Sequence, residues 1–275
     1  MKSNRFLILA VLLMASCSKD SNFKPNNLNN NQIFAFGHGG MGIGSKYPMN
    51  SMESILKCLE SGADGTEIDV QITRDGKLVL FKDAELDGQS ACKGFVGTMD
   101  WDDIKNCQFT SQPHLSYNIV TVDELFKNIK NLHNFIFTFD CKLYPVGDTD
   151  EYFQKYADAI IDIVEKYKLH NNIFIESQST AFLRLIQQKR PGLKLFIYPA
   201  SFEDGLRIAK EMDLYGITIS YSKITAVQME EAHANGFFVA VWNTHSNQKN
   251  IEAIEKNPDF IQTDKVKHLV SLLKE

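Results

Sequence analysis

The 275-residue sequence predicts an α/β fold, a (β/α)8 TIM barrel in a single domain. Three observations carry that expectation. Eight short runs rich in Ile, Val, Phe and Tyr recur along the chain from Ile33 onward. Between them lie longer stretches with apolar residues every three or four positions. Polar residues gather where the short runs end, and a parallel barrel keeps its chemistry at the C-terminal ends of its strands.

The first segment, "MKSNRFLILAVLLMASC", is a targeting sequence rather than fold. Lys2 and Arg5 precede an apolar run from Phe6 to Met14, and small residues follow. Such a run is too short and wrongly flanked for a membrane span. The ending "MASC" resembles a bacterial lipobox, which implies a signal peptide over 1–16 and a lipidated Cys17. Ordinary signal cleavage, with Cys17 incidental, is the other reading. Residues 17–31 are polar and Asn-rich without apolar periodicity, as in a flexible tether. An acyl anchor would hold the domain over 32–275 on a membrane surface of the cell envelope, periplasmic or at the outer membrane.

The eight strand candidates follow in order: 33–38, 65–72, 134–142, 172–177, 193–198, 215–220, 237–244 and 259–264. The first is joined to its helix by a long glycine-rich connection, "GHGGMGIGSKYPMN". Residues 76–120 read as a hairpin plus irregular structure ahead of the helix "TVDELFKNIKN". Later boundaries are marked by "PGLK", "NG" and "NP". An open doubly wound sheet is the alternative, but no strand is followed by G-x-G-x-x-G with a matching acidic residue.

Composition bounds the function. A net charge of −5 and the lack of a basic run argue against nucleic-acid binding. Outside the cytoplasm disulfides can form. Cys92 and Cys107 bracket one irregular region and could pair, whereas Cys58 and Cys141 read as packed thiols. The four lack the close paired spacing of a zinc site.

The polar residues at the strand ends are His38, Glu67, Asp69, Lys82, Asp83, Asp140, Lys142, Glu176, Gln178, Trp242 with Asn243, and Asp264. Glu67 and Asp69 are two apart and share one face of a strand. Buried together they repel unless a cation joins them. With Asp140 they would suit a hard ion bound through oxygen, Ca²⁺ or Mg²⁺. Salt bridging, or an exposed edge strand, is the structural alternative. Trp242 could be core packing or the wall of a pocket.

These residues also carry a resemblance. The order "GHGG … NS … GADGTEIDVQITRDGKLVLFKD … FTFDCK … VAVWNT … DFIQTD" resembles the glycerophosphodiester phosphodiesterase family, over roughly residues 33 to 264. That family is grouped with phosphatidylinositol-specific phospholipase C and the sphingomyelinase D-like enzymes. Its most specific part is "GAD-x-x-E-x-DV-x-x-T-x-DG-x-x-V". The resemblance implies a small-molecule phosphodiester as substrate. It makes His38 one of two catalytic histidines, and Glu67, Asp69 and Asp140 ligands of a divalent cation. Lys142 would contact phosphate, and Trp242 and Gln178 would line the substrate site.

The chain departs from the family pattern at four places, one of them Asp140, which stands where the family usually has glutamate. His38-Gly39 stands where the family reads His-Arg. Met49 stands where it has the glutamate of Glu-Asn-Thr. Lys82-Asp83 stands where it reads His-Asp, so Lys82 occupies the second catalytic position. A histidine titrates near neutrality and can act as acid and base. An unperturbed lysine, with a pKa of about 10.4, can donate a proton or neutralise phosphate but is a poor base. Three outcomes follow: Lys82 is the acid beside His38 as base, His245 stands in, or turnover is lost and a binding protein remains. His114, His133, His170, His233 and His268 read as loop or helix-surface residues.

Overall fold

The computed structural model describes residues 32–110 and 116–274. The expected signal peptide, Cys17, the tether and His114 lie outside these. The strands are β1 (Phe34–His38), β2 (Gly65–Ile72), β3 (Leu78–Leu80), β4 (Ile136–Cys141), β5 (Ile173–Ser177), β6 (Lys194–Ile197), β7 (Gly216–Ser220), β8 (Phe238–Thr244) and β9 (Phe260–Thr263). The helices are α1 (Met52–Glu60), α2 (Trp101–Ile104), α3 (Val122–Asn128), α4 (Thr149–Tyr167), α5 (Thr180–Lys189), α6 (Phe202–Met212), α7 (Ala226–Ala234), α8 (Asn247–Ile254) and α9 (Val266–Lys274).

All eight expected strands form, most of them trimmed at their ends. They are parallel, run in the order β1-β2-β4-β5-β6-β7-β8-β9, and β9 returns to pair with β1. The sheet is therefore a closed (β/α)8 barrel. The ninth strand, β3, is the hairpin expected after residue 76: it folds antiparallel onto the upper part of β2, beyond the stretch that β1 uses.

Two apolar layers hold the barrel. Outward-facing strand residues such as Ile68, Val70, Phe137, Ile175 and Ile219 meet the inner faces of the helices. Inside, Phe36, Phe174, Phe196, Ala240 and Phe260 fill the lower part, and Lys194 lays its ammonium over the Phe174 and Tyr215 rings. Burying one such ring contributes roughly 1.5–3 kcal/mol. The rings fit because Gly65 and Gly216 lack side chains. A Cβ at Gly216 would stand 2.5 Å from Phe196 and 2.3 Å from the Phe238 carbonyl oxygen.

Six of the helices that follow a barrel strand open on a Ser, Thr or Asp whose side chain accepts an amide of the first turn: Ser51, Asp148, Ser179, Ser201, Thr225 and Ser246. These caps fix where each loop leaves the barrel mouth. Between β3 and α3 the chain makes an excursion with its own small core of Val79, Phe81, Leu86, Val96, Ile104, Phe109 and Ile119. A Cys92–Cys107 disulfide closes it, so this pairing forms. Cys58 and Cys141 are buried thiols, as expected. No helix among the described residues is long and apolar enough to cross a membrane.

Candidate active site at the barrel mouth

Strand register assembles the site. His38 lies beside Glu67, Asp69 beside Asp140, and Asp140 beside Glu176. Residues in register on parallel strands point to the same side, so β1, β2, β4 and β5 bring their polar ends to one mouth. Glu67, Asp69 and Asp140 each offer an oxygen within 4.8 Å of the others. Their chemistry is that of a hard-cation site.

Each carboxylate is held differently. Asn50 clamps Asp69: its Nδ2 donates to Asp69 Oδ2 at 2.8 Å, and its Oδ1 accepts the Asp69 amide at 3.0 Å. The clamp needs Asn50 in a left-handed conformation, φ 64°, which asparagine tolerates better than most residues. Glu67 Oε2 accepts the Gly39 amide at 2.9 Å. Glu67 Oε1 is buried and has no hydrogen-bond partner. A buried carboxyl oxygen left without a partner, close to two further carboxyl groups, fits a site for a bound cation. Lys142 donates to Asp69 Oδ1 at 2.8 Å and also pairs with Asp140.

The ionisation of the cluster reflects its excess of negative charge. Burial, then the Asp69 charge, pushes Glu67 up to about 8. Burial raises Asp140 as well, with Lys142 opposing. Asp69 is lowered: Lys142 and Lys82 outweigh its burial. Deeper in the barrel Glu176 is pushed well up by burial and by the Asp140 and Glu67 charges, and accepts from Thr218 Oγ1 at 2.7 Å and Gln262 Nε2 at 3.2 Å.

The Nδ1 of His38 lies 2.8 Å from Asp264 Oδ1, so this edge of the imidazole is fixed and its Nε2 is left for chemistry. Burial lowers the His38 imidazole, but the bond to Asp264 and the Glu67, Asp264 and Asp69 charges outweigh it, and the net shift is upward. The other oxygen of Asp264 pairs with His245 Nδ1. Asp264 itself is lowered, because its bonds to His38, to the Ile43 amide and to His245 outweigh burial. Among the other histidines, His268 on α9 lines a second cavity with Ile43, Gly44 and Asp264. His170 pairs with Glu165, and His233 with Asp259.

Two departures from the family pattern prove to be one feature. Gly39, at φ 56°, lies under Met49: a Cβ there would come within 2.8 Å of the Met49 Cε and 2.9 Å of its Cβ. A residue larger than glycine at 39 would require the Met49 side chain and the backbone beside it to shift. Met49 also walls a cavity of about 480 Å³ with Ile43, Tyr47, Asn50, Phe109, Lys82 and Asp83. Lys82 makes no ion pair among the described residues; Lys142 is the lysine that the carboxylates hold. Gln178 stands exposed just past β5.

Trp242 ends β8 in register with Ser220, and its ring meets Tyr198 edge-on at 5.5 Å. Its Nε1 is buried without an acceptor, a second orphan at the mouth. The β8–β9 register slips between Val241 and Thr244, and Asn243 takes φ 74° within the slip. Such a bulge re-aims a side chain. Sequence reasoning missed the Asn50 clamp, the Gly39–Met49 contact and Tyr198; the last was legible only as the tyrosine closing "LKLFIY".

A closed barrel whose mouth joins three clustered carboxyl groups to a carboxylate-oriented histidine has the parts of a hydrolytic active site. The comparisons narrow this. Residues 41–268 match the profile of the glycerophosphoryl diester phosphodiesterase family, and the chain belongs to that family. A glycerophosphodiester phosphodiesterase of Caldanaerobacter subterraneus is 25% identical over 241 residues, 85% of this chain and 95% of the relative. Among solved structures, an Oleispira antarctica phosphodiesterase in complex with the product sn-glycerol-3-phosphate superposes with a TM-score of 0.78 at 16% identity, covering 89% of this chain and 97% of that one. A glycerophosphodiester phosphodiesterase from Parabacteroides distasonis gives 0.75 at 21% identity, covering 88% and 97%.

Proposed function

We propose that this chain is a divalent-metal-dependent phosphodiesterase of the cell envelope. It hydrolyses glycerophosphodiesters, or related lipid headgroup diesters, to glycerol 3-phosphate and an alcohol. One observation carries the metal dependence: Glu67, with one buried and unpartnered carboxyl oxygen, offers a ligand atom within 4.8 Å of those of Asp69 and Asp140. Glu67, Asp69 and Asp140 would hold the ion, Ca²⁺ or Mg²⁺, which supplies positive charge opposite the phosphate when bound.

The chain's own residues do the rest. His38, oriented by Asp264, takes the proton of the attacking hydroxyl at Nε2. Lys142 and Lys82 add positive charge on the phosphate side of the mouth. The Trp242 Nε1 supplies a hydrogen bond to a substrate oxygen. The cavity beside Met49 receives the alcohol, with Gln178 at the rim. Lipidation at Cys17, after removal of residues 1–16, would tether the barrel to the membrane through residues 17–31. The Cys92–Cys107 disulfide suits that oxidising compartment.

A second reading is a binding protein that has lost turnover. The Lys142 ammonium lying between Asp69 and Asp140 favours it, as does the apolar Gly39–Met49 contact in place of arginine and glutamate. Hydrolysis of a glycerophosphodiester panel with Ca²⁺ or Mg²⁺, followed by phosphorus NMR, separates the two. Turnover that His38→Ala abolishes supports the enzyme. A silent wild type beside an active Lys82→His variant supports the binder.

A further inference from the structure

One carboxylate at the mouth serves two imidazoles. Asp264 follows β9 and is almost fully buried. Its Oδ1 faces His38 Nδ1 at 2.8 Å and its Oδ2 faces His245 Nδ1. The two rings lie 6.4 Å apart, centre to centre, tilted by 40°. Both rings present Nδ1 to Asp264, so each is left with Nε2 for other partners. His245 is not there by the accident of a surface loop. It follows β8 directly, and the next residue, Ser246, caps α8. The strand and the helix thus fix its backbone on both sides.

The two histidines differ in access to water. The His38 side chain is 13% exposed and that of His245 38%. Lys82, in the second catalytic position of the family pattern, lines the cavity walled by Met49, which neither histidine lines, and makes no ion pair among the described residues. Diester cleavage by an internal hydroxyl needs a group that gives a proton to the departing alkoxide and later takes one from water. A lysine does the first readily and the second poorly, whereas an imidazole does both near neutrality.

We propose that His245, held by the carboxylate that also orients His38, is the second proton-transfer residue of this site, protonating the leaving alcohol in place of Lys82. The assignment rests on the phosphodiesterase reading. The substrate hydroxyl attacks phosphorus as His38 takes its proton. The bond from phosphorus to the alcohol oxygen breaks, and that oxygen takes the proton from His245 Nε2. Water then opens the cyclic phosphate, giving its proton to His245, while His38 returns its proton to the hydroxyl oxygen. Both histidines end as they began, and one water has been consumed.

The test compares two esters of glycerol 3-phosphate, with choline and with 4-nitrophenol, in the presence of Ca²⁺ or Mg²⁺. Nitrophenolate leaves without a proton, so it does not need the acid. In a single turnover, which stops short of the shared ring-opening step, His245→Asn, whose amide can still donate to Asp264, is expected to slow release of choline by about 10²–10⁴-fold and of nitrophenolate by less than about tenfold. Added imidazole should restore part of the choline rate in His245→Ala. Equal loss on both esters would make His245 a positioning residue for Asp264 and overturn the assignment. So would an unchanged His245→Asn, or a leaving-group-dependent loss in Lys82→Met instead. A wild type that turns over neither ester removes the phosphodiesterase reading itself, and this assignment with it.

Discussion

Glu67 makes the ion-free protein sensitive to rising pH. Its carboxyl moves from 4.5 to about 8 on folding, chiefly through burial and the Asp69 charge. Between those values the folded state holds a proton that the unfolded chain has released. Stability therefore falls as pH rises, with the benefit complete below 4.5 and lost on passing 8. The buried proton makes this fall a matter of a few kcal/mol, on the order of 5. Asp140 and His38 are also raised and act in the same sense. Asp69 and Asp264 are lowered, so their contributions disappear only in acid. The assay is thermal or urea unfolding from pH 5 to 8.5 in chelator, beside the same series with Ca²⁺ or Mg²⁺ and with Glu67→Gln. Midpoints should drop steeply in chelator, and both the ion and the amide should flatten the drop, the ion by binding the ionised folded form. A chelated wild type equally stable at pH 5.5 and 8.5 would refute the buried-proton reasoning. A steep fall that no divalent ion alters would refute the cation site.

Three further outcomes follow from the geometry. Removing the disulfide with Cys92→Ser and Cys107→Ser should cost about 3 kcal/mol in urea unfolding, from a loop closure of 15 residues. Asn243→Gly should leave stability within about 1 kcal/mol, whereas Asn243→Val, β-branched at φ 74°, should cost about 1–3 kcal/mol. Gly39→Arg should destabilise strongly alone and less in a background with Met49→Ala, and a double-mutant cycle should return a coupling of about 0.5–3 kcal/mol.

The barrel was legible because its signals are local and repeated. Each of the eight strands is four to eight residues long and rich in apolar side chains, and six of the helices that follow carry a side-chain cap. β3 was legible as a hairpin through "RDGK", but not the small core that the excursion builds, because that core joins residues from Val79 to Ile119. At the mouth, Glu67 and Asp69 were legible because two acids on one strand face need a reason. The spatial relations were not. The Gly39–Met49 contact depends on a loop folding back on itself, and the Asn50 clamp on a left-handed backbone that no pattern announces. His245 could be named from the sequence only as a possible stand-in. Its bond to Asp264 joins residues 19 apart that the β8–β9 pairing brings together.

The phenylalanine layer inside the lower barrel has a consequence for inheritance. Phe36, Phe174, Phe196 and Phe260 pack without reference to anything at the mouth, and the mouth residues contribute little to that packing. A lineage can therefore replace an arginine, a glutamate or a histidine at the upper rim while its offspring still fold. Selection on the chemistry and selection on the fold act on different storeys of one building. Lys82 sits on the upper storey, where a change of side chain leaves that packing intact, whereas Gly39 is confined by its contact with Met49.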